Sequence, residues 1–119
     1  MSVIKGPKQP SGRHKEGDVL SVCRNYLKKW GWKVYRHQQG MGSLKGFPDL
    51  TAIRDGITIY VEIKTHNPRS KQSDDQIKFE LEIARFGGLY MVARGIEDLE
   101  QFGPGWEETK NKMIARMGI

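Results

Sequence analysis

The chain has 119 residues, and 20 Lys and Arg against 14 Asp and Glu give it a formal net charge of +6. That length suits one domain burying roughly two-thirds of its unfolded surface, and the charge favours a polyanionic partner such as DNA, RNA or an acidic membrane. A single cysteine excludes an internal disulfide, no apolar run approaches the ~20 residues that span a bilayer, and the opening MSVIKGPKQPSGRHKEG lacks the apolar core of a signal peptide, so a cytoplasmic protein with no membrane partner is expected.

Residues 1–13 hold Gly6-Pro7, Pro10 and Gly12 among basic residues without apolar periodicity, and read as a flexible basic arm ahead of one domain spanning 14–119. From Glu16 to Trp30, Val19, Leu20, Cys23, Tyr26, Leu27 and Trp30 recur on one helix face that Gly31 ends. Cys23 lies on that stripe, as a core thiol would. Lys33 to Gln39 (KVYRHQQ) reads as a short strand, followed by the flexible segment GMGSLKG, which lacks the G-x-x-x-x-G-K-[ST] arrangement of a phosphate-cradling P-loop. No other motif suggests a small organic cofactor.

Asp49 to Arg54 and Ile57 to Lys64 flank Asp55-Gly56, the dipeptide suited to a type I′ turn, so an antiparallel hairpin is expected. Ser73 to Phe86 reads as a second helix marked by Ile77, Leu81 and Ala84 and stopped by Gly87-Gly88; Leu89 to Arg94 reads as a buried strand. After Gly103-Pro104-Gly105, an amphipathic helix over about 106–117 sets Trp106, Met113, Ile114 and Met117 beside Lys110, Lys112 and Arg116. It is suited to capping the core, joining a dimer or contacting nucleic acid.

The chemistry concentrates in the hairpin. Alternation puts Ile57, Ile59, Val61 and Ile63 on the core side of the second strand, and Thr58, Tyr60, Glu62 and Lys64 on the other. Symmetric pairing about the turn sets Asp49 opposite Glu62. Opposed carboxylates repel, and a divalent cation reverses that penalty. Mg²⁺ takes one or two carboxylates plus waters and phosphate oxygens, so Asp49, Glu62 and the Ile63 carbonyl suit it, with Lys64 stabilising an attacking hydroxide or the charge on phosphorus. An ordinary cross-strand ion-pair patch on a solvated sheet face is the competing reading of the same three side chains. His14, His37 and His66 lack zinc-ligand spacing.

The series Gly46-Phe47-Pro48-Asp49-Leu50, a hairpin, Val61-Glu62-Ile63-Lys64 and a helix bearing Gln76 resembles the PD-(D/E)XK nucleases, and more narrowly the short stand-alone VRR-NUC type often encoded by phages. The resemblance spans about residues 16–94. It implies an α/β fold of the restriction-endonuclease kind, with an αβββαβ core, a mixed central sheet flanked by helices and the extra C-terminal helix. It also implies a Mg²⁺ requirement that Mn²⁺ would satisfy, and similarity to dimeric Holliday-junction resolvases, hence a homodimer acting on branched DNA.

By the same resemblance Glu16 is the candidate for a further acidic metal ligand on the first helix, although a favourable charge at a helix N-terminus explains it equally well. Gln76 is a candidate catalytic residue, in conflict with a Ser73-x-x-Gln76 capping box. Arg36 stands where related resolvases carry a basic residue near the site, and Lys45, Arg69 and Lys71 are further candidates for nucleic-acid contact. A non-catalytic basic DNA-binding module that keeps the fold is the alternative from another class.

Overall fold

In the computed structural model, which describes residues 15–38 and 45–118, strand β2 (Leu50–Arg54) turns through Asp55-Gly56 into β3 (Ile57–Ile63). Asp55 (φ 53°) and Gly56 (φ 77°) both take left-handed backbone, as a type I′ turn requires. Pairing is symmetric about the turn, with Arg54 opposite Ile57 and Leu50 opposite Val61. The arm over 1–13 and most of the GMGSLKG segment lie outside the described residues.

Around the hairpin, β1 (Lys33–Arg36) pairs antiparallel with β2, and β4 (Leu89–Ala93) pairs parallel with β3, giving a mixed sheet of order β1-β2-β3-β4. A parallel neighbour needs a crossover, and α2 (Asp74–Arg85) supplies it. Helix α1 (Glu16–Lys29) precedes the sheet; a 3-10 helix (Ile96–Phe102) and α3 (Trp106–Met117) follow it. The αβββαβ core and C-terminal helix expected from the sequence are present. β1 ends before Gln39, although one further ladder bond runs from His37 N–H to the Asp49 carbonyl (2.8 Å). The 3-10 helix has no counterpart among the predicted elements: IEDLEQF is short, and its two buried anchors, Leu99 and Phe102, are one 3-10 turn apart.

One face of the sheet carries the apolar core. Ile59, Val61 and Ile63 of β3 and Leu50 and Ala52 of β2 are fully buried with Cys23 and Leu27 of α1 and with Leu99, Phe102 and Trp106. Burial pushes the Cys23 thiol up to about 12, as befits a packing residue. Trp32 meets Phe102 and Trp106 edge-on, at 5.8 and 4.8 Å between ring centroids, and its indole N–H donates to the Phe102 carbonyl (2.7 Å). Of the three roles open to the last helix, capping the core is observed: Trp106 is buried, Met113 packs against the core, and the Trp106 indole N–H and Lys110 fasten the hairpin turn through Asp55 (2.9 and 3.2 Å).

The opposite face is covered by α2. Phe79 packs its ring against Phe47, Tyr60 and Tyr90, at 5.2, 5.8 and 6.2 Å. Here the helix differs from expectation, because the Ile77, Leu81 and Ala84 stripe that marks it faces outward, with Ile77 41% and Leu81 64% exposed. The partly buried stripe is Gln76, Phe79, Glu80 and Ile83. The sheet face beneath is polar and aromatic, so aromatic packing and a side-chain amide orient the helix. Strand β4 is half-buried because it is a sheet edge. No helix among the described residues is long and apolar enough to cross a membrane.

Candidate active site

The symmetric register carries Asp49 to the residue just before β2 and Glu62 to the penultimate position of β3, on the α2 side of the sheet. Asp49 Oδ2 accepts a hydrogen bond from the Ile63 N–H (2.8 Å). Lys64 follows directly, its N–H donating to the Ala93 carbonyl (3.0 Å), so the parallel ladder continues one residue past β3 and fixes the lysine backbone. Its Nζ lies 3.6 Å from Glu62 Oε2 and 3.8 Å from Glu16 Oε1.

The Glu62–Lys64 pair is not a surface one. Glu62 is 1% and Lys64 7% exposed, so the solvated-face reading fails for these two residues, and the Gln76 amide of α2 lies against Glu62 where strand alternation alone assigns solvent. Burial pushes the Glu62 carboxyl up to about 8, reinforced by the charge of Asp49; Lys64 pulls it down and Glu16 adds repulsion. One of its oxygens, Oε1, is buried without a hydrogen-bond partner. A carboxylate at this depth with an unsatisfied oxygen is costly unless something charged completes it.

A divalent cation fits that deficit. Asp49 and Glu62 offer hard oxygen donors beside a buried orphan atom, the donor chemistry Mg²⁺ and Mn²⁺ favour. Among the described residues no three His, Cys, Asp or Glu side chains gather into an all-protein metal cage. Two carboxylates with open positions for water and phosphate match Mg²⁺ better than such a cage would.

No family profile and no curated protein matches the sequence. Solved structures do. One described as a VRR_NUC domain has a TM-score of 0.60 at 20% identity, covering 72% of this chain and 90% of its own. A VRR_NUC domain protein has a TM-score of 0.59 at 23% identity, covering 72% of this chain and 82% of its own. The chain carries the VRR-NUC fold.

Within this VRR-NUC fold, Gln76 caps its helix and also touches the site. Ser73 N–H donates to Gln76 Oε1 (2.8 Å) and Gln76 N–H donates to Ser73 Oγ (3.2 Å), a complete capping box. The other end of the same amide, Nε2, donates to Glu62 Oε2. The helix cap therefore aims a donor at the buried carboxylate. Gly46 is needed for the approach: at φ +80° it passes so close to the N-terminus of α2 that a Cβ would run into the Asp75 carbonyl. Phe47 then joins the aromatic cluster, Pro48 is buried, and Asp49 arrives at the site.

Glu16, the first residue of α1, reaches the site edge. Besides facing Lys64, its Oε1 accepts from Ser70 Oγ (3.2 Å). Arg36 is exposed and lines a cavity of about 510 Å³ with Leu20, His37, Gln38 and Asp49. Lys45, Arg69 and Lys71 are exposed; Lys71 lines a second cavity, of about 540 Å³, with Gln72, Ile77, Val92, Arg94 and Asp98.

The structure adds His37, Ser70 and Arg94 to the neighbourhood. The His37 ring shares a hydrogen bond with Thr51 Oγ1 (2.6 Å) and packs on Phe47, and burial holds it below its ordinary value against the pull of Asp49. No local pattern marks any of the three, because each acts through a partner distant in sequence.

Proposed function

We propose that the chain is a Mg²⁺- or Mn²⁺-dependent endonuclease that hydrolyses phosphodiester bonds in structured DNA, with Holliday junctions or other branched DNA as substrate. The observation that carries this reading is the buried Glu62, with its orphaned oxygen, between Asp49 and Lys64. Asp49, Glu62 and the Ile63 carbonyl would hold the cation, with Glu16 at the edge. The chemistry supplied there would be polarisation of the phosphodiester and acidification of a water.

The protein's own groups do the rest. Gln76 fixes the Glu62 carboxylate. Lys64, held rigid by its backbone bond to β4, places a positive charge where negative charge develops on phosphorus. Arg36, Lys45, Arg69 and Lys71 take the phosphate backbone, each neutralised phosphate adding about 0.9 to the log-log salt slope on duplex DNA.

Two surfaces support a homodimer. β4 (LYMVA) is an edge strand without a charged or proline guard, whereas the other edge, β1, carries Lys33 and Arg36. Beside β4, α2 exposes Ile77, Leu81 and Phe86, with Asp74 and Asp75 at one end and Arg85 at the other. A two-fold partner running antiparallel sets acid against base at both ends. Leu81→Glu should convert a dimer to a monomer by light scattering; a wild-type monomer that cuts junctions at the same dilution removes the dimer from the proposal.

The test of activity is a panel of junction, flap, nicked, duplex and single-stranded DNA with and without Mg²⁺ or Mn²⁺. Metal-dependent cleavage that Asp49→Ala and Lys64→Ala abolish is expected. Binding without cleavage, undiminished by Asp49→Ala, would instead establish a basic binding module on a nuclease fold.

A further inference from the structure

The loop between β3 and α2 is pinned from beneath by a residue that touches none of the proposed reacting groups. Arg94, one position past β4, donates from Nη1 to two carbonyls of that loop, those of Thr65 and Ser70 (2.9 Å to Ser70). Its own N–H donates to Asp98 Oδ2 (2.8 Å), tying the clamp to the 3-10 helix. Ser70 Oγ then works in two directions: it accepts from the Thr65 N–H (2.9 Å) and donates to Glu16 Oε1 (3.2 Å), across 54 residues of sequence. The same Glu16 oxygen faces Lys64 Nζ at 3.8 Å.

Glu16 has no rigid support of its own. Its side chain is 52% exposed, it opens a helix, and the residue before it, Lys15, makes no side-chain cap. An exposed carboxylate beside one lysine is ordinarily worth little, because solvent and side-chain freedom absorb the interaction. The Ser70 hydroxyl changes that by fixing the carboxylate on the side that meets Lys64.

We propose that Ser70 and Arg94 are positioning residues: Arg94 sets the loop, the loop sets Ser70, and Ser70 holds Glu16 as the outer acidic arm of the Asp49–Glu62–Lys64 centre. The inference rests on the nuclease reading of that centre. Partners of this kind, one step removed from a metal site, typically cost about ten- to a hundredfold in metal affinity when lost.

The experiment is a Mn²⁺ titration followed by electron paramagnetic resonance on the full chain, independent of cleavage. Ser70→Ala should weaken Mn²⁺ binding about tenfold while Ser70→Thr, which keeps the hydroxyl, restores it. Glu16→Gln should weaken it comparably, and the double variant should be no worse than Glu16→Gln alone, the signature of two residues acting through one contact. Arg94→Met, which keeps the side-chain stem but removes both bonds to the loop carbonyls, should also weaken binding, and it carries the test if Ser70→Ala fails to fold.

Equal binding by Ser70→Ala and wild type, or additive losses in the double variant, overturns the positioning role while leaving the nuclease reading intact. A wild-type chain that binds no Mn²⁺ overturns both.

Discussion

On the face of the sheet that meets α1 and α3, Ile59, Val61 and Ile63 are sealed among aliphatic and aromatic side chains; on the face that meets α2, the alternate residues Tyr60 and Glu62 are covered by Phe47, Phe79 and the Gln76 amide. One strand thus serves two environments at a spacing of a single residue. The first face gains stability from area removed from water. The second holds an acid and a lysine out of water with a hydrogen bond too few, the arrangement expected where stability is given up for chemistry. Substitutions on the two faces should therefore fail in different ways.

The largest effect is expected on the polar face. Lys64→Ala and Asp49→Ala should lower metal-dependent cleavage by about a hundred- to a thousandfold, with circular dichroism and melting close to wild type; a comparable loss of folding would erase the contrast between the faces. Across the sheet, Leu27→Ala should cost about 2–5 kcal/mol in denaturant unfolding, while the folded fraction keeps its cleavage rate. A fall in rate per folded molecule would show that the core face reaches into the site.

The sharpest comparison is Glu62→Gln in metal-free protein. Because the folded-state value of Glu62 lies above its ordinary one, at about 8 against 4.5, the folded chain holds a proton that the unfolded chain has released across that window. Stability is therefore full below the lower value and is lost as pH rises through the upper one. The glutamine variant escapes this loss. It should melt higher than wild type at pH 8, each kcal/mol being worth roughly 3–6 °C, with the gap closing toward pH 5 and Mg²⁺ stabilising only wild type. A gap independent of pH would assign the gain to packing instead.

A smaller effect belongs to the hairpin turn. Trp106→Phe keeps the ring in the core but removes the hydrogen bond to Asp55, and should cost about 1 kcal/mol. No change in the unfolding midpoint would mean that the turn holds without the indole bond.

Much of this was legible in the sequence wherever local rules suffice. Asp55-Gly56 specified the turn, alternation in ITIYVEIK specified the two faces, and the symmetric register placed Asp49 by Glu62. Ser73 and Gln76 announced a cap. What escaped depends on distant partners. Glu62 and Lys64 read as solvent-facing because their neighbours are distant in sequence, Gln76 of α2 for the one and Glu16 of α1 for the other. The aliphatic stripe of α2 reads as a core face, yet the helix turns Gln76 and Phe79 inward to meet Glu62 and Tyr60. Ser70 and Arg94 follow no motif; their roles exist only once α1, the loop and β4 are assembled.

The two-residue turn also has a kinetic side. Asp49, just before β2, and Glu62 of β3 lie across one hairpin, a structure that closes in roughly 1–10 μs, whereas the parallel β3–β4 pairing must wait for the whole α2 crossover. The two carboxylates are therefore expected to meet before the helix that buries them and the amide that steadies them have docked. A cation that bridges them then would act during chain collapse, so Mg²⁺ should raise the folding limb of the chevron and not merely lower the unfolding limb. Stopped-flow refolding of wild type against Glu62→Gln, with and without Mg²⁺, reads this directly: acceleration confined to wild type makes the hairpin the place where folding first encounters the ion, and acceleration of neither chain assigns the ion to the finished fold alone.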